Sequence, residues 1–166
     1  VHIERLNPDD PGQYLTPDGY KSFRTESTII RIKDHDPVTL TLRWTENGPV
    51  LPGSRFDLAE VTPPGHVASV AWTALSAHDT TMTAAMALMR AGSVAEALEA
   101  GRFFVAPSQN LVLADNETIA MKTVGAMPLR DARHETKGRM PSRGWIAANR
   151  WQAVVPYTGN PELVAP

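Results

Sequence analysis

A chain of 166 residues, 42% hydrophobic and 20% charged, is long enough for one domain with its own core or for a piece of a larger one. Its formal net charge of -2, with no long run of one sign, argues against a basic nucleic-acid stripe, and no apolar run nears the roughly 20 residues of a bilayer helix. Cysteine is absent, which excludes disulfides, thiol catalysis and thiolate metal sites and leaves the compartment open.

Residues 1–6 alternate enough for a short strand, and Asn7-Pro8-Asp9-Asp10-Pro11-Gly12 is a strong turn. Over 28–33, Ile30 and Ile32 share one face, with Arg31 and Lys33 on the other. Val38, Leu40, Leu42 and Trp44 then alternate with Thr39, Thr41 and Arg43 across the Asp34-His35-Asp36-Pro37 turn. The pattern predicts an antiparallel hairpin with one wet face. Ala68, Val70, Trp72 and Ala74 alternate again and predict a buried strand over 67–75.

Helical spacing begins after Asp79, where Met82, Ala85, Met86 and Met89 follow i, i+3, i+4, i+7. Gly92 ends that helix. Ser93-Val94-Ala95-Glu96 is a capping box that opens a second helix, with Val94, Ala97, Leu98 and Phe104 as its apolar face. Pro107-Ser108-Gln109-Asn110 leads into Leu111-Val112-Leu113, read as a buried strand, and Asp115 to Thr118 turns it toward Ile119-Ala120-Met121. Strands, two short helices and strands again indicate an α+β fold. Residues 128–144 lose periodicity and carry Arg130, Arg133, Lys137, Arg139 and Arg143, a basic irregular loop of the kind that is functional or braced from elsewhere.

Each chemical candidate has a plainer reading beside it. Asp34-His35-Asp36 has metal-ligand side chains but the setting of a solvated turn, which is favoured. His2, His66, His78 and His134 stand alone, and Ser76, Ser108 and Ser142 lack an adjacent base. The methionine stripe fits a core face, and it also fits one wall of a lipophilic pocket. Asp131 and Glu135 dilute the field of the basic loop, so solvation is favoured over anion binding. Val1 at one end and Ala165-Pro166 at the other, without start or stop signals, read as an internal piece of a longer polypeptide.

Several stretches taken together resemble the penicillin acylase family of N-terminal-nucleophile hydrolases, at the level of an internal segment of the β subunit. ERLNPDDPGQYL (Glu4 to Leu15) is similar to that family's E-R-L-x-P-x-x-P-x-x-Y-L, and RWTENGPVL (Arg43 to Leu51) to its R-x-T-x-x-G-P-V-L. AWTAL (Ala71 to Leu75) resembles the strand before the family's helix pair. SQNLVLAD (Ser108 to Asp115) resembles its Q-N-x-x-Y-A-D hairpin, and GRMPSRGW (Gly138 to Trp145) its G-R-x-P loop. The closing WQAVVPYTGNPELVAP carries Ala153 where glycine is common.

The resemblance implies that residues 1–166 form a single segment of an αββα four-layer sandwich in an amide hydrolase. Such an enzyme has its N-terminal nucleophile exposed by autoproteolysis and acts on β-lactam side chains or N-acyl-homoserine lactones, within antibiotic metabolism. Its N-terminal Ser would lie some 75 residues upstream and its oxyanion Asn downstream, so no residue of this chain is expected to be catalytic, and the segment alone should be inactive. The alternative is a non-catalytic binding or scaffold module that keeps the fold. Ala85, Met86, Ser108 and Gln109 match positions lining the acyl pocket. Gly138 matches a position giving a carbonyl to a structural calcium, although proline stands there in those members. The implied partners are an α subunit, the remainder of the β subunit and a small acyl amide, with no nucleic acid or membrane; the implied location is the periplasm.

Overall fold

The computed structural model describes residues 1–166, the side chain of Ser54 excepted. In chain order its elements begin with β1 (His2–Arg5), β2 (Gln13–Thr16), β3 (Gly19–Ser22), β4 (Arg24–Ile30), β5 (Val38–Thr45), β6 (Gly48–Pro49), α1 (Gly53–Phe56) and β7 (His66–Ser69). They continue with α2 (Thr81–Leu88), α3 (Val94–Ala100), β8 (Gln109–Ala114), β9 (Ile119–Val124), β10 (Pro128–Arg130), β11 (Ser142–Arg143), β12 (Trp151–Val154) and β13 (Glu162–Ala165). Small mixed sheets and few helices make up the chain, and it divides into two compact units.

The first unit comprises 1–71 and 130–150. β1 is its central strand, antiparallel to β7 (His2 opposite Ser69) and parallel to β11 (His2 opposite Ser142). Lying between two strands buries His2 and Glu4 on one face of β1 and Ile3 on the other. The β2–β3 hairpin turns at Gly19, where the Thr16 hydroxyl donates to the Gly19 carbonyl at 2.8 Å. Tyr14 and Phe23, both buried, stack with ring centroids 4.9 Å apart and supply the aromatic core.

The expected hairpin over 28–44 is present and longer, with β4 and β5 in register from Arg24 opposite Trp44 to Ile30 opposite Val38. Its apolar face is not dry in this chain, however. Ile30, Val38, Leu40 and Leu42 are each at least 40% exposed. Alternation decides which side chains share a face, but burial needs a second layer, and none covers this face among the described residues. The strand expected over 67–75 stops at Ser69. A 3-10 turn follows at Thr73–Leu75, and Trp72 is exposed, because β7 ends where its partner β1 begins.

The loop over 130–144 is braced within this unit. Fully buried Asn149 accepts from the Glu135 amide at 3.0 Å and donates to Glu135 Oε2 at 2.7 Å and to the Arg143 carbonyl at 3.0 Å. Arg143 pairs with Glu135 and Arg133 with Asp131. Each guanidinium holds its carboxylate down to about 2.

The second unit comprises 72–129 and 151–166. α2 and α3 pack on each other, and the buried positions are small: Ala84, Ala97 and Ala100, with Val94. α2 ends at Leu88 rather than at Gly92; Met82 and Met86 lie on its opposite side and Met89 at its cap, 74%, 46% and 81% exposed, so the methionine stripe is not a core face in this chain. With 3.6 residues per turn, residue 84 sits roughly half a turn from that stripe, and alanine lets two short helices approach closely.

The expected cap of α3 is present in altered form. Ser93 Oγ accepts from the Glu96 amide at 3.2 Å, while Glu96 Oε2 accepts from Gly92 rather than from Ser93. Phe104 falls beyond the helix, after a 3-10 turn at Gly101–Phe103. The Leu111-Val112-Leu113 run forms β8 but is not buried as expected, and Val112 is 68% exposed. The strand order is β13-β9-β8, which puts β8 at an edge; the dry positions belong to central β9, at Ala120 and Val124.

Candidate functional site

The residues expected to line a pocket all lie in the second unit. Ala85 and Met86 are in the middle of α2, and Ser108 and Gln109 are where the chain turns into β8. Thr81, in the first turn of α2, ties the two elements together. Its Oγ1 accepts from the amides of Val105 and Ala106, both at 3.1 Å, and donates to Asp79 at 2.5 Å. Thr80 adds a bond from its hydroxyl to the Phe103 carbonyl at 2.6 Å. Segment 103–106 is thereby fixed to the helix start, and Ser108 follows two residues later.

Ser108 is set by a close approach on its other side. Gly125 has φ +107, and a Cβ added there would come 2.7 Å from the Ser108 Cα. Only glycine allows the chains to run so close in that conformation. Asn110 uses its side chain across the sheet, accepting from the Thr123 hydroxyl at 3.0 Å, which agrees with a structural role. Met86, Ser108 and Gln109 are exposed and Ala85 half-buried, so these positions present side chains rather than fill a core. A separate open groove of about 350 Å³ on this helix pair is lined by Ala87, Arg90, Ala91, Glu96, Glu99 and Phe103, and by none of the four.

The first unit holds a buried polar hub that sequence reasoning missed. Glu4 is fully buried, and its Oε1 accepts from Ser69 Oγ at 2.6 Å, Asn47 Nδ2 at 2.9 Å and Thr45 Oγ1 at 3.0 Å. Asn47 Nδ2 also reaches the Gly144 carbonyl at 3.3 Å. A Cβ built on Gly144 would overlap Glu4 Oε2 and lie 2.5 Å from its carboxyl carbon. Three stretches that carried the resemblance, ERL, TENGP and SRGW, therefore meet at one carboxylate. The signal was available: an acid inside an otherwise buried strand needs donors, and Thr45 and Asn47 flank a tight turn.

Other candidates separate cleanly. Asp34, His35 and Asp36 are exposed in the β4–β5 turn, and among the described residues no three His, Cys, Asp or Glu side chains converge on a metal position. Gly138, at φ +79, packs against the Arg130 guanidinium, whose Nε would lie 2.6 Å from an added Cβ. Among the described residues no helix is long and apolar enough to cross a membrane.

Comparison with known proteins assigns the class. The sequence profile of the penicillin amidase family matches residues 1–166, and the chain belongs to that family. It is 26% identical over 156 residues to an acyl-homoserine lactone acylase, QuiP, of Pseudomonas aeruginosa, covering 91% of this chain and 18% of that protein. It is 29% identical over 136 residues to the acylase of the same name from Pseudomonas syringae pv. tomato, covering 78% of this chain and 15% of that protein. In fold it is similar to the thermostable penicillin G acylase of Alcaligenes faecalis, with TM-score 0.81 and 19% identity over 99% of this chain and 28% of that one. The chain thus spans less than a fifth of the length of these curated relatives.

Proposed function

We propose that the chain is a segment of an amide hydrolase that removes acyl groups from β-lactams or N-acyl-homoserine lactones, and that its part is to shape the acyl pocket. The observation that carries this reading is the family match across the whole chain, joined to relatives named as acyl-homoserine lactone acylases. In the reaction, an N-terminal Ser outside this chain adds through Oγ to the acyl carbonyl, with its own α-amine taking the hydroxyl proton. The amine product leaves with that proton, and water then releases the acid from the ester. α2 and the turn into β8 hold Ala85, Met86, Ser108 and Gln109 against the acyl group, in a sandwich of αββα type completed by an α subunit and the remainder of the β subunit. A periplasmic, autoproteolytically processed protein fits the same reading.

Small Ala85 beside flexible Met86 suits an aliphatic or mixed acyl chain better than a strictly aromatic one. Two measurements on the complete protein test the reading. Mass spectrometry of its mature N-terminus should find a Ser, Thr or Cys exposed upstream of this segment; an unprocessed chain would support the non-catalytic scaffold instead. Kinetics should favour long-chain acyl amides, and a strong phenylacetyl preference would sink the pocket assignment.

A further inference from the structure

Two histidines of the first unit, His2 on β1 and His134 in the braced loop, are each 4% exposed. The Nδ1 of His134 accepts the Thr136 N–H at 3.2 Å, so that nitrogen carries no proton. The Nδ1 of His2 lies 3.4 Å from Ser142 Oγ, at the point where β1 and β11 pair. One histidine thus shapes the start of segment 134–142 and the other receives its end.

The surroundings are mostly cationic. Around His2 stand Arg130, His134 and Arg150 from the 130–150 stretch. Ser69, opposite it on β7, is neutral. His134 feels Arg130 and Lys137 against the single carboxylate of Glu135. That carboxylate is committed to Arg143 and Asn149. Glu4, two residues along β1 on the same side as His2, has Oε1 engaged by three donors and Oε2 turned to Gly144.

We propose that His2 and His134 form an acid-sensitive latch, which holds segment 134–142 on β1 while both rings are neutral and releases it when they take up protons. Protonation of either ring adds charge to a buried cationic setting, and at His134 it also turns an acceptor into a donor facing the Thr136 N–H. Burial first, and then the neighbouring cations of the 130–150 stretch, shift both imidazoles below the ordinary histidine value. A histidine lowered in the folded state stabilises it fully above the ordinary value of about 6.5 and progressively less as pH falls from there through the lowered folded-state value. Asp131 and Glu135, held down to about 2, keep their charges through that window, so the loop's own ion pairs with Arg133 and Arg143 are not what releases it.

The test is hydrogen exchange followed by mass spectrometry on the complete protein, each pH normalised to an unfolded control. Between about pH 6.5 and about 4, peptides covering 134–142 should lose protection by about tenfold or more while the β2–β3 hairpin keeps its own. The double variant His2→Asn, His134→Asn retains an acceptor at each Nδ1 position without titrating, and its loop should stay protected. No selective loss in the unaltered protein, or an equal loss in the double variant, overturns the latch. Should the double variant not fold, C2-hydrogen exchange of the two imidazoles in the unaltered protein decides instead. Midpoints below about 5.5 uphold the proposal and the ordinary value of about 6.5 overturns it.

Discussion

The carboxylate of Glu4 occupies the space that a side chain at Gly144 would need. The two residues are 140 positions apart in sequence, and the contact sets how closely the end of the braced loop can lie against β1. Gly144→Ala must push the carboxylate off its three donors or move the backbone. The expected loss is about 2–4 kcal/mol, read as a lower denaturant midpoint of the complete protein. Glu4→Ala should cost about 3 kcal/mol or more, because it leaves the buried Ser69 hydroxyl without an acceptor and Thr45 and Asn47 with only their longer bonds to the Gly48 and Gly144 carbonyls. Glu4→Gln keeps one acceptor oxygen and should fall between Glu4→Ala and the unaltered protein. Equal midpoints for Gln and Ala would refute the donor argument.

Thr81→Val removes the hydroxyl that ties α2 to segment 103–106. Two backbone amides lose their acceptor, a local cost of about 1–3 kcal/mol. Exchange at Val105 and Ala106 should rise well above that in β9, and Thr81→Ser should restore it. Unchanged exchange at those amides in Thr81→Val would show that the tie contributes nothing.

Asp115 closes its own turn and also caps α3. It accepts from Val94 at 2.9 Å through one oxygen, and from Glu117 and Thr118 at 2.9 and 2.8 Å through the other. The Val94 amide, then that of Glu117, keeps its carboxyl below the ordinary carboxylate range. Its contribution is therefore present above that range and is lost as pH falls through the lower folded-state value. Asp115→Ala should abolish this pH dependence and speed exchange selectively at Val94, Glu117 and Thr118, as peptide-level exchange in acid would show.

On the proposed reading, Met86→Ala in the complete protein should raise KM for long-chain acyl amides by about tenfold while kcat changes little, since a residue on the pocket wall would bind ground and transition states alike. A fall in kcat at constant KM would place Met86 in the reacting geometry rather than on the wall.

Local chemistry was legible wherever it is decided within a few residues. The alternation of Val38, Leu40 and Leu42 located β5 and its face, Ser93 and Glu96 located the start of α3, and Asp115 to Thr118 located the turn between β8 and β9. What failed was burial. The methionine stripe and Leu111-Val112-Leu113 have the periodicity of core elements, but what covers a face is set by distant residues that periodicity does not report. The Glu4 hub escaped for the same reason, since its donors come from β5, the turn after it and β7. The resemblance picked out the stretches that meet there without assigning a contact between them. The elements that carry Ala85, Met86, Ser108 and Gln109 were readable; the tie through Thr81 was not, because a threonine inside an apolar pattern gives no local sign of its partners.

The exposed aliphatic ribbon of β4 and β5 has a consequence for handling the polypeptide. Ile30, Val38, Leu40 and Leu42 face outward together on a strand pair whose β4 is an edge. Water around such a face is released when two copies meet, and an open strand edge can template further pairing. Produced as this stretch alone, the polypeptide should self-associate as its concentration rises, with light scattering increasing faster than linearly. Replacing Leu40 and Leu42 by threonine should restore monodispersity without altering the β4–β5 register.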